Sequence, residues 1–393
     1  MKWQMVSLDS LKACSRYSFV GGPFGSNLTS RDYVEEGVPV IRGTNLSSDR
    51  EFLDEGFVFV REEKADALRS NTAHAGDLVF TQRGTLGQVG IIPETPNFSR
   101  YIISQSQMKL TVDAKRVNSR YVYYYFRHPK TIQKVINHAL TSGVPHINLG
   151  ILKGFEIPLP PVSVQTEIAS ILSTYDELIE NNQRRMTLLE DAARQVYQEW
   201  FVRLRFPGCE HIRVVDGVPK GWEKVKVGSL ILKFSRANKI KKDDYQITGA
   251  IPCVDQGSDF IGGYTDDVDA LLEDPLPIIV FGDHTRVLKF INFPFASGAD
   301  GTQLIYPNTP RMSTEYFYFA LKAIDLSNYF YARHFKFLKE EDVLVPAEAL
   351  VREFTRFAAT SFEQIKNLRT SNDKLRTARD LLLPKLMSGE IVV

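Results

Sequence analysis

The chain is poor in cysteine and has none of the spacings that cysteine-based sites use. Its 393 residues include three cysteines, Cys14, Cys209 and Cys253, which lie far apart and form no CxxC pair. Zinc sites need closely spaced cysteines and disulfide frameworks need numerous ones, so neither is expected. The scarcity indicates a reducing, cytoplasmic environment.

Long apolar runs are also missing. No run reaches the roughly 18 residues of a membrane-spanning helix, and the first six residues carry no signal-peptide core. We therefore expect a cytoplasmic protein with no membrane partner. The hydrophobic fraction of 43% and charged fraction of 24% are ordinary for a globular protein, and the length suffices for two or three domains with separate cores.

Catalytic motifs are absent from the sequence. It has neither the Asn/Asp-Pro-Pro-Tyr/Phe motif of amino-methyltransferases nor a GxxxxGK[ST] phosphate loop, and its seven histidines show no metal-ligand spacing. The spaced glycines of Gly84–Gly90 lack the strand–helix context of a phosphate site and predict a turn between strands. We expect no catalytic residue, no metal site and no cofactor in this chain.

Charge is balanced overall but sorted along the chain. The net charge is +1, which by itself does not favour a nucleic-acid-binding protein. Between Arg100 and Lys153, however, nine Lys/Arg face one acid, and between Asp255 and Asp274 there are seven acids and no base. Two interpretations stay open: one surface that faces a polyanion, or ordinary solvated faces.

The most informative pattern is a repeat of 186 residues in two helical segments. Apolar side chains recur in alternating steps of four and three, which is typical of a helix–helix seam. Asn182 and Asn372 fall within it, either as tolerated polar residues or as residues that fix the helix register. The predicted seam consists of Ile168, Leu172, Tyr175, Ile179, Leu189 and Val196 in the first segment and Phe354, Ala358, Ile365, Leu368, Leu375 and Leu382 in the second.

The repeat extends beyond the helices. Trp3–Leu11 parallels Trp222–Leu230, and each half then has short apolar runs followed by an aromatic, helix-like segment. Tyr121, Tyr123, Tyr124 and Tyr125 favour core packing over base stacking. The predicted order is a globular domain at 1–157, a helical region at 158–205, a second globular domain at 206–345 and a second helical region at 346–393.

The helical segments are long enough to act as a spacer. As a helix, Ile168–Trp200 would span ~50 Å, whereas DNA half-sites one turn apart lie ~34 Å centre to centre. Two modules on such helices could therefore reach separate grooves. The pattern alone allows parallel or antiparallel pairing of the helices.

Several motifs resemble a known family, the specificity subunits of type I restriction–modification enzymes. The segments that resemble its conserved helical regions and target-recognition domains are Pro158–Ala169, Asp176–Asn182, Tyr197–Phe201, Ala378–Glu390, Gly22–Ser26 and Gly76–Thr85. The resemblance covers the chain in order. It implies an α+β fold in which two similar mixed α/β target-recognition domains are separated by two long antiparallel helices that form a coiled coil with a pseudo-twofold repeat.

The resemblance also implies a function. Such a subunit binds a bipartite double-stranded DNA target and directs methyltransferase (modification) subunits, two of them, and restriction subunits to it, without being an enzyme itself. S-adenosylmethionine, ATP and Mg²⁺ are then expected in the partner subunits. Two rivals are a free-standing bipartite DNA-binding regulator and a coiled-coil scaffold whose domains bind no DNA.

Base reading needs forked or amide side chains at base edges and cations at phosphates, and loops on rigid scaffolds often carry them. The candidate DNA-contacting residues in the first half are Gln82, Arg83, Thr85, Ser104, Gln105, Gln107, His146 and Asn148. Those in the second half are Arg236, Lys239, Lys241, Lys242, His284, Arg286, Arg333, His334 and Lys336.

Overall fold

The chain divides into two compact units. A computed structural model describes residues 3–47, 50–139, 145–233, 237–329 and 333–393. The first unit consists of Met1–Asn182 with Ser371–Val393, and the second of Gln183–Thr370. Both unit boundaries lie inside long helices, so each unit contains a part of each long helix. The four domain boundaries drawn from the sequence stay predictions.

The first half of the chain contains eleven described strands and ends in a long helix. The strands are β1 (Gln4–Ser7), β2 (Phe19–Gly21), β3 (Tyr33–Val34), β4 (Val38–Ile41), β5 (Val58–Val60), β6 (Thr72–Ala73), β7 (Leu78–Thr81), β8 (Val89–Ile91), β9 (Tyr101–Ile103), β10 (Gln107–Leu110) and β11 (Glu156–Leu159). The helices are α1 (Glu62–Ala67), α2 (Ser119–Arg127), α3 (Pro129–Asn137), α4 (Leu149–Lys153) and α5 (Val162–Tyr197), which continues as a π-turn at Gln198–Val202.

The second half has a similar sequence of elements, with fewer described helices. Its strands are β12 (Val214–Val215), β13 (Val218–Pro219), β14 (Glu223–Lys226), β15 (Ile251–Val254), β16 (Gly263–Thr265), β17 (Leu271–Leu272), β18 (Ile278–Gly282), β19 (Leu288–Ile291), β20 (Phe295–Ser297), β21 (Thr302–Ile305) and β22 (Asp342–Val345). Its helices are α6 (Thr314–Lys322), α7 (His334–Glu340) and α8 (Glu348–Ser388). The strand pair β12–β13 is additional and precedes β14, the counterpart of β1.

Strand pairing repeats between the two halves. In the first unit β4 pairs with β5 antiparallel and with β9 parallel, and in the second β15 pairs with β16 antiparallel and with β20 parallel. The hairpin β7–β8, with β10 on its other side, corresponds to β18–β19 with β21. The pair β1–β11 corresponds to β14–β22. Two similar mixed units follow, as the sequence predicted.

An aromatic helix fills the core of each unit. Tyr121 on α2 is buried and donates its hydroxyl proton to the carbonyl of Pro158 at 2.8 Å. Tyr316 on α6 donates in the same way to the carbonyl of Leu344, also at 2.8 Å. Leu344 lies 186 residues after Pro158, whereas the two tyrosines lie 195 residues apart, so an equivalent contact forms in both units although the spacing of its donor differs. The predicted core role of the tyrosine-rich segment is confirmed, since Tyr121, Tyr123 and Tyr124 are buried.

The long helices pair antiparallel within each unit. In the first unit Asp176 of α5 contacts Arg379 of α8, whereas the later residue Asn182 contacts the earlier residue Asn372. In the second unit Tyr197, at the end of α5, packs against Phe354 near the start of α8, with ring centroids 6.2 Å apart. Antiparallel pairing and the α+β class are therefore confirmed.

The predicted seam positions vary in burial. Ile168, Leu172, Ile179, Phe354, Ala358 and Ile365 are buried, and Tyr175, Leu189, Val196, Leu368, Leu375 and Leu382 are partly buried. Helix α8 ends where Gly389 adopts a left-handed conformation with φ of 71°, a backbone shape that favours glycine after a helix. None of the described helices combines the length and apolarity that crossing a bilayer requires.

Candidate nucleic-acid interface

Three separate segments of the first unit meet at the β7–β8 hairpin. The backbone N–H of Gln82, just after β7, donates to the carbonyl of Ser106 at 2.7 Å. The carbonyl of Gln82 in turn accepts from the N–H of Ile147 at 3.1 Å, and Arg83 forms an isolated antiparallel bridge with His146. The fold therefore brings together three of the segments that the sequence singled out.

The side chains at this junction differ in exposure. Arg83, Thr85 and Gln105 are exposed, while Gln82 and His146 are partly buried. Guanidinium and amide groups of this kind are suited to hydrogen bonding with base edges. We call Gln82, Arg83, Thr85, Gln105 and His146 the first reading cluster.

Three other candidates in this half have structural contacts. Ser104 and Gln107 are buried, and the Ser104 hydroxyl donates to the Gln107 side-chain oxygen. Asn148 is exposed, but its Oδ1 accepts from the N–H of Ile151 at 2.8 Å and caps α4. Gln107 is 0% exposed, so in this structure it lies beneath the first reading cluster and not on its surface.

The sequence did not assign a site role to the loop Gly21–Ser26, which lies beside the first reading cluster. The N–H of Gly22 donates to the carbonyl of Gln107 at 2.8 Å, and a Cβ at Gly22 would lie 2.1 Å from the carbonyl oxygen of Ser104. A side chain there is incompatible with this approach. The available signal was the glycine-rich motif, whose glycines allow close backbone contact.

The second unit repeats the junction at the β18–β19 hairpin. The N–H of Asp283 donates to the carbonyl of Gly301 at 2.7 Å, and the Asp283 carbonyl accepts from the N–H of His334 at 2.9 Å. The Asp283 carboxylate also accepts from the N–H of Phe335 at 2.8 Å. Asp283 thus occupies the place that Gln82 occupies in the first unit.

Gln256 is a residue at this junction that the sequence did not identify. Its side-chain oxygen accepts from the N–H of His284 at 3.1 Å, and its carbonyl accepts from the Thr285 hydroxyl at 2.6 Å. The available signal was its position just after a predicted strand, in Asp255-Gln256-Gly257. We call Gln256, His284, Thr285 and Arg286 the second reading cluster.

A buried lysine holds the Gln256 segment in place. The ammonium group of Lys289 on β19 donates to the carbonyl of Asp255 at 2.8 Å and also to the carbonyl of Asp259. Burial lowers the pKa of Lys289, and the nearby Asp255 and Asp259 oppose that shift. Part of the acidic run that begins at Asp255 is therefore organised around an internal cation.

The remaining candidates in the second half lie mostly at the surface. Lys239, Lys241, Lys242, His284, Arg286, Arg333 and Lys336 are exposed. Between the lysines, Ile240 forms a parallel bridge with Gly298, in the loop that continues to Gly301. The lysine segment is thus placed close to the β18–β19 junction. Arg236 lies outside the described residues.

His334 has an internal structural role. It is 7% exposed, and its Nδ1 and Nε2 each lie 3.0 Å from a backbone carbonyl oxygen, of Asp283 and Tyr329 respectively. This ring joins the hairpin to the start of α7 and does not reach the surface in this structure. The proposed base contacts of the exposed candidates stay predictions. Among the described residues, no group of three or more His, Cys, Asp or Glu side chains is arranged to hold a metal ion.

Comparisons with known proteins find type I restriction–modification specificity subunits. Residues 27–191 match the family model "Type I restriction modification DNA specificity domain". The MjaIX specificity subunit of Methanocaldococcus jannaschii is 25% identical over 344 residues, which cover 81% of this chain and 78% of that protein. The EcoR124I/EcoR124II specificity subunit of Escherichia coli is 29% identical over 96 residues, covering 24% of this chain and 23% of that protein.

A solved structure supports the fold. The S subunit of a type I restriction–modification system from M. genitalium superimposes with a TM-score of 0.55 at 18% identity, covering 98% of this chain and 96% of that one. Proteins of this kind are the non-catalytic recognition components of type I restriction–modification complexes. The family match and the named relatives are all specificity subunits of type I restriction–modification enzymes, which is the resemblance that the helical motifs predicted. DNA sequence recognition within a complex is thereby supported over the free-standing regulator.

Proposed function

We propose that each unit reads one half of a split DNA target. The observation that carries this proposal is the shared junction: Gln82 bonds to Ser106 in the first unit as Asp283 bonds to Gly301 in the second, both at 2.7 Å. The same backbone scaffold presents different side chains, since Arg83 and Gln105 occupy one junction while His284 and Gln256 occupy the other. Different donors and acceptors on equal scaffolds would select different bases.

Within a half-site, the exposed side chains have distinct roles. Arg83 can donate two hydrogen bonds to a guanine edge, and Gln105 can donate to and accept from an adenine edge. Lys239, Lys241 and Lys242 are suited to phosphates, which position the protein without selecting a sequence. The net charge of +1 fits a chain whose partners share the neutralisation of DNA phosphates.

The catalytic steps would take place on the partners. Specificity subunits of type I systems work with modification and restriction subunits and bind DNA; for this chain we propose two modification subunits. S-adenosylmethionine, ATP and Mg²⁺ would be held by those partners. The target adenine would leave the DNA stack and enter a modification subunit's pocket. The free state of Cys14, Cys209 and Cys253 fits the reducing cytoplasm where such a complex would meet DNA.

Methylation mapping tests the split target. The chain is expressed with its modification subunits in a host that lacks other methyltransferases, and modified bases are located by single-molecule sequencing. The expected motif has two short specified halves around an unspecified spacer. A continuous motif would contradict the proposal of two readers.

Single substitutions then assign the halves. Arg83→Ala should relax the bases of one half, and His284→Ala those of the other, each by ~1–3 kcal/mol of discrimination. Lys115→Ala removes an exposed cation outside both clusters and should leave the motif unchanged. If Arg83→Ala and His284→Ala altered the same half, the assignment of one half to each unit would fail.

A further inference from the structure

We propose that Phe24 inserts its ring into the DNA stack at the half-site read by the first unit and unstacks one base step there. This inference rests on the proposed function of the first reading cluster. It adds an apolar contact to a site that otherwise consists of polar side chains. Such wedges, often Phe or Leu, separate neighbouring bases in many DNA complexes.

Phe24 is displayed to solvent although it is large and apolar. Its side chain is 83% exposed, whereas Pro23 beside it and Leu28 after it are buried. Transfer of an aromatic ring out of water is favourable, so a solvent-exposed ring contributes little to the stability of the folded chain. The exposed ring is therefore available to a binding partner.

The loop that carries Phe24 is fixed at several points. The N–H of Gly22 donates to the carbonyl of Gln107 at 2.8 Å, and the Phe24 carbonyl accepts from the N–H of Asn27, also at 2.8 Å. The side-chain amide of Asn71 donates to the carbonyl of Gly21 at 2.7 Å. Insertion between bases requires a ring held on an anchored backbone, because a mobile loop would lose more conformational entropy on binding.

Phe24 lies next to the side chains proposed to read bases. A Cβ at Gly25, the next residue, would lie 3.1 Å from the side-chain oxygen of Gln105. A Cβ at Gly21 would lie 3.8 Å from the side-chain oxygen of Gln82. The phenyl ring thus projects from the backbone that borders the first reading cluster.

The surroundings favour DNA over a protein partner. In the loop Gly21–Ser26, Phe24 is the single large apolar side chain among three glycines, one proline and one serine, whereas protein-docking surfaces present contiguous apolar patches. Amide side chains beside one ring match a base step, whose edges are polar and whose faces are apolar. DNA is therefore the occupant to which we commit.

Fluorescence of 2-aminopurine tests the insertion. The complex with modification subunits is titrated with duplexes in which 2-aminopurine replaces successive bases of the half-site that Arg83→Ala relaxes. The wild-type complex should raise the fluorescence severalfold at one step other than that of the target adenine, since unstacking relieves quenching and the flipped adenine position would brighten without Phe24. Phe24→Ala should abolish this rise in fluorescence and raise the Kd for DNA about 10-fold. Phe24→Leu should retain part of the fluorescence rise and part of the affinity.

A matched control separates insertion from a general loss of apolar surface. Val392→Ala removes an 80% exposed apolar side chain of the first unit and should change neither signal. The proposal would be overturned if Phe24→Ala left fluorescence and affinity unchanged. It would also be overturned if the variant lost assembly with the modification subunits but distorted the DNA as the wild type does. If Arg83→Ala relaxes neither half, the proposed function itself fails; if it relaxes one half while Phe24→Ala has no effect, the insertion alone fails.

Discussion

The side-chain amide of Asn182 donates a 2.8 Å hydrogen bond to the side-chain oxygen of Asn372 in the interior of the first unit. Asn372 in turn donates to the carbonyl of Ile179 at 3.2 Å and is 1% exposed. These two bonds allow one alignment of α5 against α8, because a shifted register would bury amides without partners. Of the two roles left open by the sequence, the contact favours register fixing.

Substitutions of Asn182 and Asn372 should destabilise the chain by different amounts, because Asn372 makes a second hydrogen bond, to Ile179. Asn372→Leu leaves the buried Asn182 amide without its acceptor and should lower the free energy of unfolding by ~1–3 kcal/mol. Asn182→Leu should cost less, since Asn372 keeps its bond to Ile179. The double variant should be no less stable than Asn372→Leu, because both partners are then apolar. Urea unfolding of the purified variants measures these differences, and equal losses in both single variants would argue against the network.

The buried ion pair of Asp176 and Arg379 makes a second prediction. Arg379 donates to the Asp176 carboxylate, which also accepts from the Tyr124 hydroxyl at 2.7 Å. Burial, together with the Asp176 and Glu51 charges, raises the pKa of Tyr124, so it stays a donor at neutral pH. Arg379→Met strands a buried carboxylate and should destabilise the chain by ~3–5 kcal/mol.

Two further variants check this interpretation in the same urea experiment. Tyr124→Phe should cost ~1.5–3 kcal/mol, the value of a hydrogen bond to a charged group. Adding Asp176→Leu to Arg379→Met should recover most of the lost stability, because the pair is then replaced by apolar side chains. Failure of the second substitution to recover stability would indicate that packing, and not the stranded charge, dominates.

Glycine at position 22 should be essential for the shape of the first reading cluster. A Cβ there would lie 2.1 Å from the Ser104 carbonyl oxygen and 2.7 Å from Cα of Gln105. Gly22→Ala must therefore push the loop away from Gln105, at a cost of ~1–3 kcal/mol in stability and with weaker specific DNA binding by the assembled complex. At Gly43 the nearest atom to an added Cβ lies 3.8 Å away, so Gly43→Ala serves as the control in thermal unfolding and binding assays. Normal specific binding by Gly22→Ala would contradict the arrangement.

Stability should depend on pH through Glu315. Burial raises the pKa of this carboxyl above its ordinary value of 4.5, while its own backbone N–H and Ser313 oppose the shift. Because the pKa of Glu315 is raised in the folded state, the stability linked to its protonated form is fully present below pH 4.5. That stability is lost as the pH rises through the folded-state pKa of Glu315. Glu315→Gln should therefore be more stable than wild type at pH 8, with the difference vanishing towards pH 4.5.

Thermal unfolding midpoints between pH 4.5 and 8 measure this difference. Glu353→Gln, at an exposed position of α8, should follow wild type across the range. A constant difference between Glu315→Gln and wild type would show that ionisation of Glu315 does not couple to folding.

Much of the fold could be predicted because the signals are local. The strands at Val38–Ile41 and Ile278–Gly282 and the aromatic helix α2 follow from short apolar or aromatic runs bounded by turn residues. The predicted turn at Gly84–Gly90 agrees up to Gln88, since β7 ends at Thr81 and β8 starts at Val89, so that Gly90 lies in the strand. The candidate site was less predictable, since Gln107 and His334 are polar in sequence yet buried. Both ring nitrogens of His334 face backbone carbonyls, whereas the Gln107 side-chain oxygen accepts from Ser104 and its buried side-chain nitrogen has no hydrogen-bond partner among the described residues.

The sequence by itself determined the 186-residue repeat, the two long amphipathic helices and the family that the chain resembles, since periodicity and motifs are properties of the order of residues. Only the tertiary structure decided that Asn182 meets Asn372, whereas the repeat aligns Asn182 with Leu368. It likewise decided that Gln82 meets Ser106 and that Gln256 meets His284. These contacts join segments distant in sequence, and the packing of the whole chain selects them.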